Sequence, residues 1–157
     1  MKRNLLILSI LATCFFSTQA QVNPHAIGLR LGTGGEFFGG EFSYQHGMGA
    51  ANRLEFDLGF GGNSDNNNFY VAGTYQWDWN LTEGLNWFVG PGATIGYKNV
   101  VNDGRFNLGI GGQVGLEYDF KSLGAPILVS LDTRPMWNFV GHTGMDWGLA
   151  LGVRYVW

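Results

Sequence analysis

The stretch Leu149-Ala150-Leu151-Gly152-Val153-Arg154-Tyr155-Val156-Trp157 places a large apolar side chain at every odd position and Ala, Gly, Arg or Val between them. A period of two belongs to a β-strand, whose successive side chains leave opposite faces. Working back along the chain, Leu54, Phe56, Leu58 and Phe60 alternate with Arg53, Glu55, Asp57, Gly59 and Gly61, and Ile27, Leu29 and Leu31 with Gly28, Arg30 and Gly32. Val71, Tyr75, Trp77 and Trp79 stand in the same way against Ala72, Thr74, Gln76 and Asp78, and no segment of comparable length has a helical period. The pattern predicts eight strands, near 26–33, 37–46, 52–62, 68–81, 85–98, 106–120, 126–136 and 145–157. Gly, Asn and Asp mark the reversals between them, from Thr33-Gly34-Gly35 to His142-Thr143-Gly144. Strands joined by short reversals are antiparallel neighbours, so the expected fold is all-β: a closed, eight-stranded, antiparallel up-and-down barrel.

Alternation alone does not say which face is outside, and composition settles the expectation. The 157 residues include 26 glycines, are 15% aromatic and only 13% charged, and carry a net charge of -3. Water-facing surfaces are commonly a quarter or more charged. Here Lys is confined to Lys2, Lys98 and Lys121, none in a strand interior. Large aromatics on the apolar set cluster at two levels, with Tyr44, Trp77, Trp79, Trp87, Tyr118, Phe120, Tyr155 and Trp157 at one and Phe38, Phe60, Phe69, Tyr97, Phe106 and Trp147 at the other. Two aromatic girdles around an aliphatic band are the signature of a barrel that spans a membrane, apolar side out. The same composition excludes a basic nucleic-acid footprint.

The first residues read as an address. Met1-Lys2-Arg3 is followed by an apolar stretch from Leu5 to Phe16 and by Ser17-Thr18-Gln19-Ala20. This is the layout of a secretory signal peptide over 1–20, cut after Ala20, too short to cross a bilayer as a helix. The barrel domain is then 21–157. The one cysteine, Cys14, falls inside the leader. Leu11-Ala12-Thr13-Cys14 is an alternative lipoprotein cleavage box, ranked lower because Thr precedes the Cys and Phe15-Phe16 would open the mature chain.

The C-terminal run Leu149, Leu151, Val153, Tyr155 and Trp157, ending on an aromatic, resembles the insertion signal of Gram-negative outer-membrane β-barrel proteins. With the leader and eight alternating segments, the whole chain is similar to small barrels of the OmpA/OmpX transmembrane type. That resemblance implies an outer-membrane location, contact with outer-membrane lipid and lipopolysaccharide, recognition of the last strand by the barrel-assembly machinery, and a monomer. It also implies periplasmic turns near 46–51, 81–85 and 120–126, and outer loops near 33–37, 62–68, 98–106 and 135–145.

The polar set carries what chemistry there is: Arg30, Glu41, Arg53, Glu55, Asp57, Asp78, Glu117, Asp119, Asp132, Arg134 and Arg154. Spread over most strands, these residues read as a lumen ion-pair network, because an unpaired buried charge is costly. Arg53 with Glu41 is one pairing the order of strands suggests. Twelve inward glycines, among them Gly28, Gly59, Gly90, Gly109, Gly111 and Gly115, leave room for water-filled pockets between the bridging side chains. Some eight-stranded outer-membrane barrels modify lipid A, and Ser64, His142 and Asp146 form the sole candidate triad. No strained elbow or adjacent base activates Ser64, so no catalytic residue, cofactor or metal is assigned. The expected function is a structural or envelope-integrity role with a largely plugged lumen. A narrow porin-like pore is the alternative, with a lipid A-modifying enzyme or a soluble ligand-binding barrel behind it. Pro91, mid-strand, predicts a bulge or local distortion at Gly90-Pro91-Gly92.

Overall fold

The computed structural model describes residues 23, 25–33, 39–63, 66–100, 103–141 and 143–157. The expected leader with Cys14 and Ala20, as well as Phe38, Ser64 and His142, lies outside the described residues. The strands are β1 His25–Thr33, β2 Gly39–Gly47, β3 Asn52–Asn63, β4 Asn66–Thr82, β5 Leu85–Val100, β6 Asp103–Asp119, β7 Ile127–Thr133, β8 Met136–Val140, β9 Gly144–Asp146 and β10 Leu149–Val156. β7 and β8 are two lengths of one stave of the wall, and β9 and β10 of the next, so the described residues form eight staves. Each pairs antiparallel with its neighbour in sequence, and β1 closes the ring on β10 from Ala26 opposite Val156 to Thr33 opposite Leu149.

Burial follows parity around the ring. On the closing pair, outward Leu29 and Leu31 are 64% and 67% exposed while Arg30 between them is 1% exposed. Most inward residues are polar or small and the outward ones largely apolar, which is the inverse of a water-soluble barrel and the arrangement a lipid-facing wall requires. Closure leaves no free edge along this seam, as backbone groups in hydrocarbon demand. The outward aromatics sit toward the two ends, with Trp79 stacked on Trp87 and Tyr118 edge-on to Phe120 at one end and Phe60 edge-on to Phe69 at the other. Trp137 and Phe139 join the second group, each about half exposed.

The long strands reach further than the sequence pattern indicates. β5 runs to Val100 and β6 starts at Asp103, leaving two residues where nine were expected, and most of 135–145 is the β8–β9 hairpin. Pro135 hides this hairpin from the pattern because it interrupts the stave at the point where the alternation must be followed. At the turn end, Gly84 takes φ +77° between β4 and β5. Between β6 and β7, Asp119 accepts from the Lys121 amide to start a one-turn 3-10 helix, Phe120–Leu123, that Gly124 ends at φ +84°. Each of these two glycines occupies a left-handed conformation that a Cβ would strain.

Pro91 is accommodated without a bulge. The β4–β5 register is the same on both sides of it, from Thr74 opposite Gly92 to Trp77 opposite Val89, and the ladder lapses at Tyr75–Pro91 and Gln76–Gly90. Gly90 makes this possible, since a Cβ there would overlap the Tyr75 carbonyl. The lapse has company. Strand pairing also stops at Arg134–Pro135, between Val114–Thr133 and Gly111–Met136 on one side and between Leu149–Thr133 and Asp146–Met136 on the other. Gly112 still donates to the Pro135 carbonyl at 3.1 Å, and Arg134 to that of Gly148 at 3.3 Å. Pairing therefore lapses in two places, between β4 and β5 and on both sides of Arg134–Pro135, with the β5–β6 ladder unbroken between them, whereas β1, β2 and β3 pair without a break.

Candidate functional site

The inward face gathers its charges at two levels. In the larger group, Arg30 from β1 reaches Glu41 on β2, Asp57 on β3 at 3.0 Å and Asp132 on β7. Arg134 also binds Asp57, and Arg154 from β10 binds Glu55 at 3.0 Å while donating to Ser43 and Ser130 at 2.9 and 2.8 Å. In the smaller group, nearer the turn end, Arg53 holds Glu117 through two parallel bonds of 2.8 and 2.6 Å and Asp78 at 3.1 Å, its guanidinium 5.0 Å from the Phe88 ring centre. The forked guanidinium matches a carboxylate in this two-bond form, which fixes direction as well as charge.

The pairing follows from register. Arg30 and Glu41 are direct partners across β1 and β2. Glu41 is opposite Gly59 on β3 and Arg53 opposite Gly47 on β2, so Arg53 and Glu41 occupy opposite ends of one hairpin and do not pair, contrary to the expectation from strand order. Asp119 also leaves the expected set: it lies half-buried at the turn end, accepting from Asn23 at 2.7 Å and capping the short helix. Its inward parity is right, but the strand ends before it reaches the interior.

Six buried carboxylates share four buried guanidiniums, and neutral donors add further bonds to Glu41, Glu55 and Asp132. Tyr70 donates its hydroxyl to Glu41; Gln45 donates to Glu55 at 2.6 Å; Gln113 donates to Glu55 at 3.0 Å and to Asp132 at 2.9 Å; Gln76 donates to Gln113 at 2.9 Å. These residues join the two levels. Their parity matches that of the charged set, so the signal was present in the sequence, but uncharged polar residues on a strand announce no partner. Buried ions left without such bonds would cost several kcal/mol each.

The expected water-filled spaces beside the glycines are largely occupied by neighbouring side chains. A Cβ on Gly59 would strike the Tyr70 ring, one on Gly111 Met136, one on Gly115 Phe88, and one on Gly109 Asn138. Met136 and Phe88 are fully buried, inward apolar residues that polar patterning does not anticipate. A small cavity remains, lined by Arg30, Glu41, Asp132 and Arg134. Arg30 Nε and Asp132 Oδ2 have no protein hydrogen-bond partner, so these cavity-lining residues retain polar atoms suited to a water. At the turn end Ala26, Leu128 and Val156 form a buried apolar cluster, each 1% exposed. Asn23, ahead of β1, reaches across that mouth to Asp119 and lies 3.3 Å from Lys121 Nζ.

Chemically, the arrangement immobilises charge. Each interior carboxylate is tied to a guanidinium, and no group of three His, Cys, Asp or Glu placed to hold a metal ion occurs among the described residues. Of the candidate triad only Asp146 is described, and it accepts from Asn138 at 2.6 Å. The terminal run Leu149, Leu151, Val153, Tyr155 and Trp157 lies wholly on the outer face, each residue about half exposed.

No family model and no curated protein matches the chain. Solved structures do match its fold. Neisserial surface protein A aligns with a TM-score of 0.52 at 16% identity over 85% of this chain and 94% of that one. The N-terminal β-barrel domain of Pseudomonas aeruginosa OprF aligns with a TM-score of 0.58 at 15% identity, covering 85% and 96%. Ail, the attachment invasion locus protein of Yersinia pestis, aligns with a TM-score of 0.54 at 12% identity, also covering 85% and 96%. At such identities the shared feature is the small eight-stranded barrel itself.

Proposed function

We propose that this chain is an integral outer-membrane barrel whose lumen is plugged by its own ion-pair network and whose role is structural, serving the integrity of the envelope. The observation that carries this reading is the inversion of the barrel: an apolar outer wall around an interior in which Arg30, Arg53, Arg134 and Arg154 are each bonded to carboxylates from other strands. Such a molecule has no water-soluble form that leaves its wall exposed, and an eight-stranded interior is about wide enough for side chains to fill. The fold likeness to surface protein A, OprF and Ail supports the location. In this reading the leader is removed after Ala20, the last strand is read by the barrel-assembly machinery, the wall contacts lipid and lipopolysaccharide as a monomer, and no reaction is catalysed.

Two measurements test it. The protein should fractionate with membranes, require detergent for extraction and migrate differently on gels before and after boiling. Reconstituted into planar bilayers, it should give no steady single-channel steps; reproducible steps from pure protein would sink the plugged lumen and install the narrow-pore reading in its place.

A further inference from the structure

On the outer face, at the turn end of the wall, His25 and His46 are direct partners across β1 and β2. Their ring centres are 4.8 Å apart with the planes tilted by 35°. Two imidazoles bound to one metal ion at about 2.1 Å, with nitrogen–metal–nitrogen angles of roughly 95–110°, hold their ring centres about 4.7–5.3 Å apart. The observed spacing falls in that interval. One nitrogen on each ring is already specified by its surroundings. His46 Nδ1 lies 3.3 Å from the Tyr44 hydroxyl, the kind of contact that fixes a ligating imidazole through its other nitrogen. His25 Nδ1 is buried and has no hydrogen-bond partner in the protein, a cost that a bound cation would remove.

We propose that His25 and His46 form a two-imidazole site for a late first-row divalent metal ion, with Cu²⁺ bound best and Zn²⁺ and Ni²⁺ less tightly. Imidazole nitrogen favours these ions over Mg²⁺ and Ca²⁺, and the affinity order follows the general series for such donors. Among the described residues no third His, Cys, Asp or Glu joins the cluster, so the other coordination positions fall to water and the site is exchangeable. It is independent of whether the lumen conducts, because it lies on the opposite face of the wall.

Trp157 reports on the site, its ring centre 5.6 Å from that of His25. The full chain, purified in detergent without a histidine tag, is titrated with CuCl₂ while tryptophan emission is followed, and the one-equivalent complex is examined by electron paramagnetic resonance. Quenching that saturates near one equivalent, reverses with EDTA and accompanies hyperfine coupling to two imidazole nitrogens is the expected result. His25→Asn and His46→Asn should each weaken binding by at least about tenfold, as loss of one of two ligands requires, whereas His142→Asn should bind as the wild type does. Should His25→Asn fail to give the folded gel species, the wild-type resonance spectrum and the exposed His46→Asn variant decide. A spectrum with fewer than two coupled imidazole nitrogens, or a His46→Asn titration that overlays the wild type, overturns the proposal.

Discussion

The two sides of the wall differ. β1, β2 and β3 pair without a break, and they contribute Arg30, Glu41, Arg53, Glu55 and Asp57 to the interior. The opposite side, from β4 round to the last stave, loses pairing at two places, Gly90–Pro91 against β4 and Arg134–Pro135 against both its neighbours, on either side of an unbroken β5–β6 ladder. The inward residues on this side include Gln76, Gln113 and Arg134, and each is bonded toward the regular side: Gln76 accepts from Arg53, Gln113 donates to Glu55, and Arg134 binds Asp57. Where the sheet gives up hydrogen bonds along the wall, the lumen supplies them across it. The network thus acts as a brace between a regular wall and an irregular one, and its charges serve geometry.

Removing a brace should matter more than repairing the wall. Arg30→Met leaves Asp132 without its guanidinium and Glu41 with only the more distant Arg134, and should destabilise the barrel by about 3–5 kcal/mol. Urea unfolding in lipid vesicles, read by the gel shift, measures this, and a loss below 1 kcal/mol would show that the brace is dispensable. Gln113→Leu removes the link between the two levels and should cost about 1–3 kcal/mol through the Glu55 acceptor and the Gln76 donor it leaves unmet. If instead it were neutral, the irregular side would be held by its own packing, with Met136 and Phe88 the first suspects. Pro91→Val restores a backbone donor on the irregular side and should change stability by no more than about 0.5 kcal/mol, since the facing Tyr75–Gln76 segment is already lapsed. A gain well beyond that would mean that proline causes the lapse and that Gly90 merely tolerates it.

Much of this architecture was legible in the chain because parity is a strict rule. Leu149 to Trp157 alternates without error, and the same is true of Arg53 to Phe60, so the number of staves, their direction and the inward charged set apart from Asp119 follow. The partners within that set did not follow, because pairing depends on register: the eleven-residue separation of Arg30 and Glu41 is meaningful only once the turn between them has a length. Arg53 and Glu41 have the same parity and adjacent strands, yet the hairpin holds them at opposite ends. Inward Phe88 and Met136 were illegible for another reason. They break the polar pattern to fill space above Gly115 and Gly111, a relation between strands that no single strand records.

Asn23 gives the ring a direction in time. In an unclosed sheet of the same strand order, the start of β1 and the end of β6 are separated by five interstrand spacings, about 24 Å. In the closed molecule, Asn23 and Asp119 share a hydrogen bond of 2.7 Å. That bond can form only after the first and last staves have met, so it belongs to the finished barrel and to no earlier stage. A pair of distance probes at 23 and 119 would register the moment of completion, separately from the growth of the strands between them.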